Sequence, residues 1–308
     1  MNAPAKNAAA LAPPTLAGQV RSFLGMIRFS HTLFALPFAL AGAVLAWRDV
    51  GFRWLDLPGL IVCMVLARSA AMAFNRLVDR RHDAANPRTA QRHLPTGQLS
   101  VRAVAVFFAL SAVGFVLSTL HFWVWNDNLW PFYLSGPILL FLCGYSLAKR
   151  FTSLCHWWLG AALALAPVAA WLALTGSVAW APVVLGAAVL FWVAGFDILY
   201  ATQDADFDRA AGLFSVPARL GVPTALRVAL ACHVLMFALL VSLIWLGPLG
   251  PVYALGLGAI GLLLAYEHWL VRPDDLTRVN EAFFLVNVVI SLGLFGLILA
   301  DVLLARAG

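Results

Sequence analysis

Residues 68–97 read RSAAMAFNRLVDRRHDAANPRTAQRHLPTG. The run starts as an apolar helix and ends as an arginine-rich loop, so it marks an edge where a membrane span meets water. Across that edge Asn75, Asp79 and Asp83 recur every four residues, which on a helix stacks three oxygen-bearing side chains along one face. Adjacent bare carboxylates repel each other, so a cation belongs between them. Mg2+ is the natural candidate, being a hard ion commonly shared between carboxylates and a substrate's phosphates. Arg76, Arg80, Arg81, Arg88 and Arg92 lie nearby, a density suited to gripping a polyanion. The plainer alternative is a loop whose arginines only set topology, with the acids neutralising them.

Composition supports the membrane reading. Of 308 residues, 63% are hydrophobic and 11% charged, more apolar surface than one aqueous core can hide, so the bilayer must be the solvent. A net charge of +6 would suggest nucleic acid in a soluble protein; here the positive-inside rule explains it, and no nucleic-acid partner is expected. Cys63, Cys143, Cys155 and Cys232 are scattered, without the spacing of a zinc site or a disulfide framework. Residues 1–20, rich in Ala and Pro, lack the pattern of a signal peptide and are expected to form a disordered tail. Residues 21–308 then make one transmembrane domain.

Stretches with little or no charge mark the spans, the second carrying Arg68 within it. They fall at residues 29–47, 55–74, 103–126 and 128–148, then across 151–196, which is too long for one crossing and divides at Thr175-Gly176-Ser177. Residues 228–266 divide likewise at the Gly- and Pro-rich run 247–251, and 282–300 is last. The expected fold is all-α, with nine transmembrane helices. With nine crossings the amino terminus and loops 2–3, 4–5, 6–7 and 8–9 share a side. Every Lys and Arg except Arg48, Arg53, Arg306 and the intramembrane Arg68 then falls on that side. The asymmetry predicts an inner-membrane protein with those loops and the amino terminus in the cytoplasm.

A second acidic run, DILYATQDADFDR at 197–209, follows helix 6. Tyr200, Asp204 and Asp208 are again four apart, and Asp79 precedes Asp204 by the same interval as Asp83 precedes Asp208. Helices 2 and 6 run in the same direction, so the pattern reads as two four-helix halves plus a final helix. Two acidic faces meeting across a bundle would hold metal ions around a diphosphate. A diphosphate with a lipid tail fits the layout: carboxylates and arginines hold the head at the rim, and the apolar bundle holds the tail. Departure of the diphosphate would leave an allylic cation, which needs a chamber free of water. Arg68, within a span, costs about 2.5–3.5 kcal/mol to insert and should face the interior. It suits an anionic acceptor group, the diphosphate, or an acid across the bundle. Lys149 and Arg150 end helix 4, where helix dipole and topology alone would favour them and where they also converge on the acidic loops. His31 and His156 read as interior hydrogen-bonders.

Taken together, these residues resemble the UbiA superfamily of intramembrane aromatic prenyltransferases, from about Arg21 onward. The first signature matches Asn75, Asp79 and Asp83, with Arg68 seven residues before it. The run that follows matches Arg88, Thr89, Arg92, Leu94, Pro95 and Gly97. The second signature matches Asp197, Tyr200, Asp204 and Asp208, and the Lys-Arg after helix 4 matches Lys149 and Arg150. Arg76 departs from the pattern, standing where much of the family has Asp. The 29–40 segment and the Asn86–Thr89 run look like the bacterial branch of 4-hydroxybenzoate polyprenyltransferases, which includes enzymes acting on 1,4-dihydroxy-6-naphthoate in menaquinone synthesis. The resemblance implies that Asp79, Asp83, Asp204 and Asp208 hold Mg2+ and a polyprenyl diphosphate, with Asn75 assisting. It implies that Arg88, Arg92, Lys149 and Arg150 steady the diphosphate, and that Tyr200 and Asp197 lie in the substrate site. Arg68 or Arg28 would meet the carboxylate of an aromatic acid acceptor whose ring carbon attacks the allylic carbon, in ubiquinone or menaquinone biosynthesis. Relatives with macrocyclic acceptors, such as haem O and chlorophyll synthases, share the fold. From a different class, a transporter also fits repeated halves with buried charge, although its site belongs near the midplane.

Overall fold

The computed structural model describes residues 16–27, 32–247 and 249–307. Arg28 and His31 lie outside the described residues, as does the expected tail up to position 15. From Leu16 the chain is helical (α1, Leu16–Met26), so the last part of the stretch read as tail is ordered secondary structure. Phe23 stacks on Phe107 with ring centroids 4.9 Å apart, which gives this helix a hydrophobic partner.

The bundle comprises α2 (Thr32–Val50), α3 (Asp56–Ala85), α4 (Val101–Ser118) continued by α5 (Leu120–Asn126), α6 (Trp130–Ala148), α7 (Cys155–Thr175) and α8 (Trp180–Ala201). Short helices α9 (Ala205–Ala210) and α10 (Val216–Leu220) lead to α11 (Val222–Leu246) and α12 (Pro251–Leu270). A turn, α13 (Val279–Glu281), then runs through a π-turn at Ala282–Val286 into α14 (Asn287–Ala307). Among the described residues, 8 helices are long and apolar enough to cross a membrane. The helix α2, free of charge before Arg48, packs among them as a further long element. The protein is a multi-pass, all-α membrane protein.

The ends of the helices follow local chemistry. Gly176 takes a left-handed φ of 69° to stop α7, and Asp127 a φ of 51° after α5, at the turns expected from the sequence. Asn86 is extended because Pro87 follows it, which ends α3 there. The helix α3 has 30 residues, about 45 Å at 1.5 Å each. It therefore outruns an apolar core of about 30 Å and carries Asn75, Asp79 and Asp83 on its projecting part, continuous with the span beneath.

The two halves share a pattern of neighbours. The helix α3 packs on α4 as α8 packs on α11, and α14 closes the bundle by packing on both α12 and α2. The helices α2, α7 and α8 are wedged close at the centre. A Cβ on Gly42 would come 2.3 Å from the Pro167 carbonyl oxygen, and one on Gly160 would come 2.3 Å from that of Leu190. Small residues are required where membrane helices approach this closely. Beside this contact Trp192 is fully buried, its ring 5.0 Å from Phe38 and 4.9 Å from Phe196.

Candidate active site

The residues marked by the two acidic runs line one cavity of about 330 Å³. The helix α3 supplies Asn75, Asp79 and Asp83, and the loop after it supplies Arg88 and Arg92. Lys149 and Arg150 come from the end of α6, and Asp197, Tyr200, Asp204 and Asp208 from the end of α8 and beyond. Arg68 reaches the same cavity from two turns further into the α3 span. Arg28 lies outside the described residues.

The loop after α3 is folded to face the second acidic run. Thr89 Oγ1 donates to the Asp83 carbonyl at 3.0 Å, satisfying a carbonyl of the last helical turn. The Asn86 side chain accepts from the Arg88 N–H at 2.9 Å, an Asx-type turn, and donates to Asp204 Oδ1 at 3.0 Å. On the other side, Thr202–Asp204 form a 3-10 turn between α8 and α9. Tyr200, Asp204 and Asp208 therefore do not lie on one straight α-helix as their spacing suggests, yet all three face the cavity.

Each of the four aspartates of the two acidic runs that recur at four-residue spacing, Asp79, Asp83, Asp204 and Asp208, meets a cation. Arg150 Nη2 lies 3.1 Å from Asp79 Oδ1, Arg92 Nη1 lies 2.6 Å from Asp83 Oδ1, and Lys149 Nζ lies 2.7 Å from Asp208 Oδ2. Arg88 chelates Asp204 through Nε (2.8 Å) and Nη2, and its Nη1 donates to the Tyr200 hydroxyl at 2.8 Å. Burial alone would lower the pKa of Arg88, but its hydrogen bond to Asp204, with Tyr200 adding, holds it above the ordinary value. Asp83 Oδ2 and Asp208 Oδ1 are buried without a hydrogen bond, lone pairs of the kind that a hard cation would satisfy. Among the described residues no three His, Cys, Asp or Glu side chains converge as a ready ion cage. The expected acidic cluster is instead two pairs interleaved with bases.

Asn75 donates to Asp79 at 2.9 Å, and its own oxygen accepts from Arg76 at 3.0 Å. Arg76 also donates to the Met26 carbonyl at 3.4 Å. Arg76 thus ties α1 to α3 and orients Asn75. Deeper, the polar cavity shares Arg68, Met72, Tyr145, Leu159 and Leu163 with an apolar chamber of about 220 Å³. Arg68 stands at their junction, its Nε buried without a hydrogen bond, and among the described residues no acid pairs with it.

Several residues at or behind the cavity wall are not marked as site residues by spacing. His156, read as an ordinary interior residue, donates or accepts at Nδ1 with Asp197 Oδ2 at 2.7 Å. Ser215 donates to Asp208 Oδ2 at 2.8 Å. Phe283 lies 4.2 Å from the Tyr200 ring, carried by the π-turn, which the Asn287 amide braces by donating to the Ala282 and Phe283 carbonyls, both at 3.2 Å. Such partners come from distant parts of the chain, and no local periodicity points to them.

A model of the UbiA prenyltransferase family matches residues 35–289. A 4-hydroxybenzoate octaprenyltransferase of Tolumonas auensis is 32% identical over 267 residues, covering 83% of this chain and 91% of the relative. The enzyme of that name from Vibrio vulnificus is 30% identical over 270 residues, covering 86% and 89%. Among solved structures, the apo structure of a UbiA homolog from Aeropyrum pernix is 32% identical with a TM-score of 0.78, covering 88% of this chain and 98% of that one. A UbiA homolog from Archaeoglobus fulgidus bound to GPP and Mg2+ shares the fold at 17% identity and a TM-score of 0.66, covering 90% and 99%.

Proposed function

The chain belongs to the UbiA prenyltransferase family, and from that premise we propose that it transfers a polyprenyl chain from a polyprenyl diphosphate to a ring carbon of 4-hydroxybenzoate, in a Mg2+-dependent reaction. The names of its relatives favour that acceptor over 1,4-dihydroxy-6-naphthoate. One observation carries the reading: both aspartate pairs, with the bases that accompany them, line a polar cavity that continues into an apolar chamber. A diphosphate head fits the first and an isoprenoid tail the second. A transporter would need its site near the midplane, whereas one pair lies in the last turns of α3 and the other just past the end of α8.

Asp79, Asp83, Asp204 and Asp208 are the residues that would hold Mg2+; their donor set is all oxygen, and two buried oxygens are free of hydrogen bonds. When bound, the ion neutralises the diphosphate and stabilises it as a leaving group. Arg88, Arg92, Lys149 and Arg150, paired with aspartates within the protein, would turn toward the phosphate oxygens and add charge-assisted hydrogen bonds. Tyr200, beside Arg88, would hold the donor's head against the α8 side. Arg68, at the mouth of the apolar chamber, is positioned to meet the carboxylate of the acceptor, and the chamber walls keep water from the allylic cation. The positive-inside rule puts the cavity end in the cytoplasm.

The test is to give the protein in vesicles labelled polyprenyl diphosphate and 4-hydroxybenzoate, with and without Mg2+, and to identify products by mass. A ring-prenylated acid only with Mg2+ is the expected result. No prenylated product from any phenolic acid, or uptake without covalent change, would overturn the proposal.

A further inference from the structure

We infer that Asp197 is the base that takes the proton from the acceptor ring, and that His156 is its positioning residue. The inference rests on the prenyl-transfer reading above and names a step within it. Five aspartates line the polar cavity, and four of them are held by Arg or Lys. Asp197 differs. Its partner is a histidine, His156, whose Nδ1 lies 2.7 Å from Oδ2, and among the described residues Oδ1 has no hydrogen bond from the protein.

The state of the imidazole follows from its other nitrogen. The Val216 backbone N–H donates to His156 Nε2 at 3.2 Å. A nitrogen that accepts carries a lone pair, so the ring proton sits on Nδ1 and points at Asp197. His156 is 2% exposed and anchored at both nitrogens, so it holds Oδ2 and leaves Oδ1 as the unengaged oxygen of a residue that lines the cavity. A proton arriving from substrate then has one open oxygen to go to.

Depth selects the same residue. Asp197 precedes Asp204 by seven residues, about 10 Å along a helix, so it sits inward of the diphosphate rim. The carbon that leaves the diphosphate must lie on the tail side of the phosphates, and the acceptor ring beside it. Val193, Phe196 and Leu163 line the cavity there. The electron balance is complete. The donor's C1–O bond breaks and its pair departs with the diphosphate. A ring π pair then forms the new C–C bond. The C–H pair returns to the ring while the proton passes to Asp197 Oδ1.

The experiment uses the full-length protein in vesicles, a polyprenyl diphosphate, and 4-hydroxybenzoate carrying hydrogen or deuterium at the carbons beside the hydroxyl. Asp197→Asn should lower ring prenylation by ~10²-fold or more, leave the donor KM near that of the parent protein, and show a larger primary isotope effect than the parent. His156→Asn keeps an N–H where Nδ1 stood and should retain more activity than His156→Leu, which should match Asp197→Asn. If Asp197→Asn fails to fold, Asp197→Ser carries the same comparison; a folded variant that no longer binds donor would overturn the inference. Parental rates in the Asp197 variant, or a slowed variant whose isotope effect is no larger, would overturn the inference. Absence of any product from the parent protein would instead overturn the reaction on which it rests.

Discussion

Arg88 holds Asp204 across 116 residues of sequence, its Nε 2.8 Å from Oδ1 and its Nη2 on Oδ2. The pair joins the loop after the first acidic run to the turn that carries the second. It leaves Nη1 to donate to Tyr200 at 2.8 Å, so one planar group fixes three parts of the site.

That planarity makes a sharp prediction. Arg88→Lys keeps the charge but loses the fork, and charge-assisted hydrogen bonds contribute about 1.5–3 kcal/mol each. The variant should lose about 10- to 100-fold in kcat/KM. Steady-state kinetics check this; an unchanged kcat/KM would show that the fork is dispensable.

Asp79→Asn and Asp204→Asn should each abolish detectable prenylation while inserting normally into membranes. Chelation of the parent protein should do the same, and added Mg2+ should restore activity. Product analysis on inserted, folded protein makes the comparison. Full turnover in either variant rules out the metal role of that aspartate.

Arg68→Leu should raise the KM for 4-hydroxybenzoate about 10- to 100-fold, the loss of one or two charge-assisted contacts, with little change in the donor KM. An acceptor whose carboxylate is replaced by an amide should be insensitive to the substitution. If the donor KM rises instead, Arg68 serves the diphosphate.

Asn287 is fully buried, accepting from Trp192 Nε1 at 2.7 Å and donating to Glu267 Oε1 at 2.8 Å. Asn287→Leu strands both partners, at about 1–3 kcal/mol for each unsatisfied group. The apparent Tm in detergent should fall, and activity with it, because the π-turn that presents Phe283 to Tyr200 loses its brace. An unchanged Tm would mean the network is not needed for stability.

Much of the fold is legible in the sequence because the bilayer makes it so. A span must be long, apolar and helical, and each break must carry turn chemistry; Gly176 and Asp127 stop helices where the composition shifts. Two boundaries differ from that reading, and both are informative. The apolar run of α3 ends near Phe74, but the helix runs on to Ala85, since leaving the hydrocarbon does not oblige a helix to stop. Pro87 does that. The extent of α1 was likewise hidden, because a short helix against a protein surface leaves a weaker signal than a span.

By itself, then, the chain determined its membrane class, its helices and the two spaced acidic runs, all properties of residues near one another in sequence. Only the tertiary structure decided which base meets which acid, that His156 backs Asp197, that Arg76 spans from α1 to Asn75, and that polar and apolar cavities meet at Arg68. Those facts depend on crossings between helices far apart in the chain, where packing of side chains on close-set backbones fixes each distance. A pattern of residue types does not encode a distance between segments.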